Sequence, residues 1–344
     1  FIMRSISPSW RAWLNATIMA IAVAHFPFSR ALALVPHKNI IAITHAAGRM
    51  GKVLALQVRE DAELSQMPTE ELPIIRAIVR SEAEAASVKC DLGGMTMVGG
   101  KASPIPLKWL EIVVVENVVG KTGKATLRAA FEGAGTAILC DASHNEMVWQ
   151  NDNSDGDEGF CSISVPTADS EDLSMRLLAE IEAASSSSTL RHVVMRSSMG
   201  LSSGVTNEAA DAMGGEAVLT GPRKAENALK ASGLEHTILR LGALTDDAGM
   251  VPLIFGIDDS ILLKRMDSTN TGRPPILSRS DAARVSNFLL REATYFKGAT
   301  IDCSWHPKYG RSSAGSEEAF SAAGRQDLKS SIMESCGLAW RKHQ

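Results

Sequence analysis

With 344 residues, of which 45% are hydrophobic and 22% charged, the chain is long enough to bury a full α/β core and too mixed in composition to be disordered. A formal charge of −4, with Lys and Arg scattered rather than clustered, argues against nucleic acid as a partner. Cys90, Cys140, Cys161, Cys303 and Cys336 form no CxxC pair, so neither a disulfide framework nor a zinc site is expected and the thiols read as inert.

Residues 1–36 read as a targeting leader. Arg4 and Arg11 precede the apolar run Trp13 to Ala24, and small residues follow at Ala31 and Ala33, the layout of a secretory-type signal. Asn15 and Thr17 interrupt a run that is already short for a bilayer, so no permanent membrane span is expected. The stretch "AVAHFPFSRALALVP" also resembles a bipartite plastid presequence, which makes a plastid the expected location, with the secretory pathway or the cytoplasm as alternatives.

From residue 37 to 335, β-branched runs alternate with helical patterns, the signature of βαβ units. Strands are expected at 39–43, 73–79, 136–140, 192–196 and 236–240, each short and apolar enough for burial on both faces. Met50, Val53, Leu54 and Val58 follow the first strand at helical spacing, "RKAENALKASGL" predicts a helix stopping at Gly233, and "SRSDAARVSNFLLREA" predicts another. In the last, Ser280 is the expected cap and Val285, Phe288 and Leu289 the buried face. The fold class implied is α/β, a Rossmann-like doubly wound parallel sheet with a small C-terminal substrate-side region. Residues 93–124 and 151–188 read as insertions, the first adding a strand or covering a cleft. Within the second, "NDNSDGDEGF" reads as a solvated acidic loop, because it lacks the glutamate spacing of a calcium loop, and "SSSS" at 185–188 as a flexible connection.

"THAAGRMG", residues 44–51, then follows a buried strand and opens a helix, with Gly48 and Gly51 in the turn. Such a turn places backbone N–H groups at a helix N-terminus, where a pyrophosphate is favoured. This turn, with "RAIVR", "CDL", "RHVVMRSSMG", "KAENALKASGLEHTILRLGAL" and "LSRSDAARVSNFLL" in that order, resembles the atypical short-chain dehydrogenases/reductases, in particular their NAD(P)-binding, NmrA-like branch. The resemblance covers most of residues 38–300.

The family's turn reads TGATGxxG, so Thr44, Gly48, Arg49, Met50 and Gly51 match, while His45 replaces the first glycine and Ala47 a threonine. A histidine there either crowds the adenosine side or donates a hydrogen bond to phosphate. After the second strand the family holds the ribose 2′ position; Arg80 in "RAIVRS", with no carboxylate before Glu82, implies NADP rather than NAD, since a guanidinium matches phosphate bidentately. The resemblance further implies that Asp91 and Leu92 lie beside the adenine and that Ala142 and Ser143 pass under the cofactor ribose.

Hydride transfer also calls for a proton donor. In active members this is the tyrosine of YxxxK; here Lys224 matches the lysine, but Thr220 stands in the tyrosine's place, and Tyr295 and Tyr309 lie far downstream. Ser197 and Ser198 fall where the family keeps a substrate-polarising serine, so Lys224 and Ser198 are the catalytic candidates. Arg240, in "RLGAL", is expected to support the fold. Three functions stay open: a dinucleotide-binding protein without ordinary dehydrogenase chemistry, acting as a redox-responsive scaffold or assembly factor with a protein partner; an NADPH-dependent reductase using another donor, such as Lys224, a serine or water; and a structural domain whose turn no longer binds cofactor.

Overall fold

The computed structural model describes residues 39–98, 101–118, 120–140, 146–149, 161–164, 170–269, 274–309 and 314–338. Eight strands form the central sheet: β1 (Ile40–Ile43), β2 (Ile74–Val79), β3 (Leu110–Val114), β4 (Ala134–Leu139), β5 (His192–Ser198), β6 (His236–Leu241), β7 (Leu253–Gly256) and β8 (Thr300–Trp305). Their order across the sheet is β7-β8-β6-β5-β4-β1-β2-β3. All neighbours run parallel except β7 against β8. The order reverses between β1 and β4, and in sheets of this kind the crevice above that reversal is where ligands bind.

The helices α1 (Arg49–Leu64), α2 (Glu82–Gly93), α3 (Lys121–Phe131), α4 (Ser170–Ser185), α5 (Gly215–Ala231) and α6 (Arg279–Arg291) cover the two faces. Strand alternation sorts the core. Ile41 and Ile43 pack with Leu54 and Val58 of α1 and Val285 and Leu289 of α6. Ile40 and Ala42 join Leu127 and Phe131 of α3, Leu177 and Ile181 of α4, and Leu229 of α5 on the opposite face. Among the described residues no helix is long and apolar enough to cross a membrane.

The five expected strands form, and three further ones complete the sheet. β3 comes from the stretch read as an insertion, where Leu110 to Val114 pair residue by residue with Ile75 to Val79; residues 95–98 and 101–104 of that stretch form a separate hairpin. Residues 151–188 are likewise more than an insertion, because α4 is the crossover helix packed against α3 and α5. The acidic loop 151–160 lies outside the described residues. The serine run is hydrogen-bonded rather than flexible: the Ser186 and Ser187 N–H groups donate to the carbonyls of Ala183 and Ala184, and the Ser187 hydroxyl to Phe131. Helix α6 is capped by Ser278, not Ser280: the helix begins one residue earlier than Ser280, and the Ser278 hydroxyl accepts from the Asp281 N–H at 3.1 Å.

Candidate functional site

The turn after β1 is built by hydrogen bonds to both neighbouring strands. Thr44 is buried; its N–H donates to Ile138 of β4 at 3.1 Å and its hydroxyl accepts from the Cys140 N–H at 3.0 Å. The Ala46 N–H donates to Ile78 of β2, and the Gly48 N–H returns to the His45 carbonyl. His45 has φ 49°, the left-handed conformation a glycine adopts freely, so the chain follows the glycine path despite the substitution. Gly51 permits the closest approach: a Cβ there would stand 2.4 Å from the His45 carbonyl oxygen and 2.5 Å from the Ala46 Cα. Helix α1 can therefore start tight against the turn.

The N-cap of α1 is Gly48, which offers no side-chain acceptor. Gly48 and Arg49 are exposed, so the first N–H groups of α1 open onto the crevice with the positive end of the helix dipole. Met50 turns into the core. A pyrophosphate fits this arrangement, since His45 is buried and close enough to Glu84 to influence its carboxyl, and so is turned toward α2.

Arg80 stands at the end of β2, as the sequence predicts, with a partner the sequence reading missed. Its backbone N–H and its Nε both donate to the Glu84 carboxylate at 2.7 Å. Burial alone would raise the Glu84 carboxyl, but the hydrogen bonds and charge of Arg80, with His45 nearby, hold it below its ordinary value. Arg80, Glu84 and His45 thus form one polar corner above the ends of β1 and β2. The signal for Glu84 is in the sequence: Ser81 caps α2 by accepting from the Glu84 N–H, and Ser-x-x-Glu is the capping-box pattern.

The remaining candidates fall in varied places. Asp91 and Leu92 lie on the last turn of α2, where Lys52 of α1 and Ser87 engage the Asp91 carboxylate and lower its pKa; Leu92 packs against the core. Ala142 and Ser143 lie outside the described residues. Ser198 ends β5, buried, with its hydroxyl donating to the Met199 carbonyl at 3.0 Å. Lys224 is exposed on α5, on the side of the helix away from its buried stripe of Val218, Pro222, Ala225 and Leu229. Thr220, in the tyrosine's place, donates to the Glu216 carbonyl at 2.8 Å. Tyr295 lies beside the Lys329 ammonium and Tyr309 beside Lys308 and His306.

Below the end of β5 and β6 sits a buried ionic network. Arg240 donates to Glu226 through Nε and Nη2, both at 2.8 Å, and reaches Ser202 and Asp259 through Nη1. Ser197 also donates to Glu226. Asp259 accepts the N–H groups of Gly200 and Ser202 at 2.8 and 2.7 Å, which pins the loop after β5. Arg240 thereby occupies a fold-supporting place.

Residues 101–259 match the NAD(P)H-binding family. The fold is similar to that of a short-chain dehydrogenase/reductase from Veillonella parvula DSM 2008 solved in complex with NADP, with TM-score 0.51 and 16% identity over 79% of this chain and 97% of that one. Residues 101–259 are thus similar to an NAD(P)H-binding domain, carried on a Rossmann-like fold. A putative NAD-dependent epimerase/dehydratase from Bacillus halodurans aligns with TM-score 0.49 and 17% identity, over 78% of this chain and 94% of that one. The anaerobillin reductase ChuY from Escherichia coli O157:H7 aligns with TM-score 0.47 and 15% identity, over 78% and 98%. No curated protein sequence matches the chain. The family match begins at residue 101, downstream of the turn at 44–51, so the role of that turn rests on its geometry in the Rossmann-like sheet.

Proposed function

We propose that this domain prefers NADP(H), with the pyrophosphate at the N-terminus of α1 and the 2′-phosphate at Arg80, and that it works as a redox-responsive scaffold rather than as a tyrosine-dependent dehydrogenase. One observation carries the second half of this reading. The position that would supply the proton is Thr220, a far weaker acid than a phenol, whose hydroxyl is committed to Glu216, while Lys224 points away from the core of α5. Arg80 supports the NADP(H) preference because a phosphate can take the guanidinium fork now held by Glu84. The leader-like residues 1–36 support a plastid setting, where an assembly factor would meet its partner complex.

The test is a fluorescence titration of the protein lacking residues 1–36 with NADPH and NADH, beside an R80A variant. Micromolar NADPH affinity, roughly 8 kcal/mol, with its preference over NADH lost in R80A, is the expected result. The loaded protein is then mixed with aldehyde, quinone and enone acceptors and the NADPH absorbance followed. Consumption faster than in buffer would replace the scaffold by a reductase that uses Lys224, a serine or water as donor; no binding of either dinucleotide would leave a structural domain.

A further inference from the structure

Arg49 and Arg279 begin α1 and α6, and both grip one carboxylate. Asp246 receives Arg49 Nη1 at 2.9 Å on one oxygen and Arg279 Nη1 at 2.6 Å on the other. Further along, Asn287 of α6 donates to Asp61 of α1, so the two helices lie side by side and run in the same direction. Their positive dipole ends therefore converge with two guanidiniums on a single aspartate. Helix α6 is capped by Ser278, whereas α1 has no side-chain cap.

The three partners differ in how firmly they are held. The Arg49 and Asp246 side chains are each 62% exposed, while Arg279 is 6% exposed. An exposed ion pair of the Arg49 kind is worth little, because water competes for both ends. A buried guanidinium such as Arg279, by contrast, needs an anion beside it. Asp246 supplies that anion from the residue directly after the strand Ala243–Thr245, a place from which its side chain can withdraw without disturbing the sheet.

We propose that Asp246 is a displaceable stand-in for the cofactor's pyrophosphate, and that Arg279 is a further pyrophosphate-binding residue. The inference rests on the cofactor reading above and adds to it two residues from the far side of the crevice. A diphosphate carries more charge than one carboxylate and meets the uncapped N–H groups of α1 as well as both guanidiniums. Arg49 and Arg279 then exchange Asp246 for the ligand, and Asp246 sets how tightly any dinucleotide is held.

Because the pyrophosphate is common to both nicotinamide dinucleotides, the effect has no 2′-phosphate dependence. The probes are ADP, NADH and NADPH, titrated by calorimetry or fluorescence against the wild type, D246N, R279Q and R279K, with R80A alongside; thermal melts confirm folding. D246N is expected to tighten all three ligands by a common factor of about three to ten, and R279Q to weaken all three by about tenfold. R279K, which keeps the charge without the fork and guards against loss of fold, falls between wild type and R279Q. Unchanged or weaker binding in D246N overturns the stand-in role, while a loss of NADPH preference in R80A in the same experiment leaves the cofactor reading intact. Absence of binding to both the wild type and D246N overturns the two together.

Discussion

Arg240 and Glu226 join the C-terminal end of β6 to α5 through two parallel hydrogen bonds of 2.8 Å, both side chains being less than a tenth exposed. Glu226 lies below its ordinary pKa: burial would raise it, but the hydrogen bonds and charge of Arg240, with Ser197 and Lys230 assisting, hold it ionised. Removing one partner of a buried pair leaves the other charge uncompensated. E226Q is expected to lower unfolding free energy by about 3 kcal/mol at pH 7, read from urea denaturation. A loss under about 1 kcal/mol would mean that Asp259, 3.3 Å from Arg240, is a sufficient counter-charge alone.

A tighter constraint sits at the turn. The backbone atoms that a Cβ on Gly51 would meet, the His45 carbonyl and the Ala46 Cα, belong to the turn itself and cannot rotate aside. G51A is therefore expected to cost about 3 kcal/mol, the upper range for overpacking, and to weaken NADPH binding because α1 must retreat from the turn. Wild-type stability and affinity in G51A would show that the turn has slack the geometry does not reveal.

The strands β1, β2, β4, β5 and β6 were legible because burial on both faces demands continuous apolar runs, and residues such as Ile40–Ile43 supply them. β8 was not legible, since "TIDCSW" places Asp302 in mid-strand; it is tolerable there because Arg240 lies beside it in register. β3 falls in the glycine- and lysine-rich stretch where an added strand was one of two expectations, but its place at the sheet edge beside β2 was not legible. Around the turn, Gly48 and Gly51 could be placed from local pattern, whereas Thr44 and Arg80 were singled out only by the family resemblance. Asp246 and Arg279, 33 residues apart, could not, because only the parallel pairing of Ala243–Thr245 with Ile276–Ser278 brings them together. Nor could sequence tell that Lys224 would sit on the exposed side of α5, since the residues at that spacing fit either face.

Two buried groups give the chain opposing pH dependences. Burial, then the Asp259 carboxylate, push Asp302 up to about 7 against the pull of Arg240, and its oxygens make no hydrogen bond of ordinary geometry among the described residues. Burial takes His192 down to about 4; the Thr237 hydroxyl, donating to the Phe296 carbonyl, faces its Nε2. A raised Asp means that the folded state binds more protons than the unfolded one between about pH 4 and 7, so its contribution to stability falls as pH rises through that window. A lowered His does the reverse between about pH 4 and 6.5, its contribution being lost as pH falls. The two slopes largely cancel in the wild type. D302N removes one of them: stability at pH 8 is expected to rise by a few kcal/mol, and the profile between pH 4 and 6.5 to steepen toward acid. Parallel wild-type and D302N melting curves across pH 4 to 8 would show that Asp302 ionises as freely in the folded chain as in the unfolded one.

The last expectation concerns which dinucleotide the polar corner admits. If Arg80 takes the 2′-phosphate as proposed, Glu84 already occupies that place, taking both the Arg80 backbone N–H and its Nε at 2.7 Å. A bound 2′-phosphate must share or displace that carboxylate, and like charges at such range repel. E84Q keeps an acceptor for the Arg80 N–H and keeps the capping pattern with Ser81, so the start of α2 survives while the repulsion is removed. NADPH is expected to bind about three to ten times more tightly to E84Q than to the wild type, with NADH unchanged, a difference on the order of 1 kcal/mol. This pattern differs from that of D246N, which acts on every diphosphate ligand alike. Equal tightening of NADH and NADPH by E84Q would place the carboxylate near a group the two cofactors share, and Arg80 would then lose its claim to the 2′-phosphate.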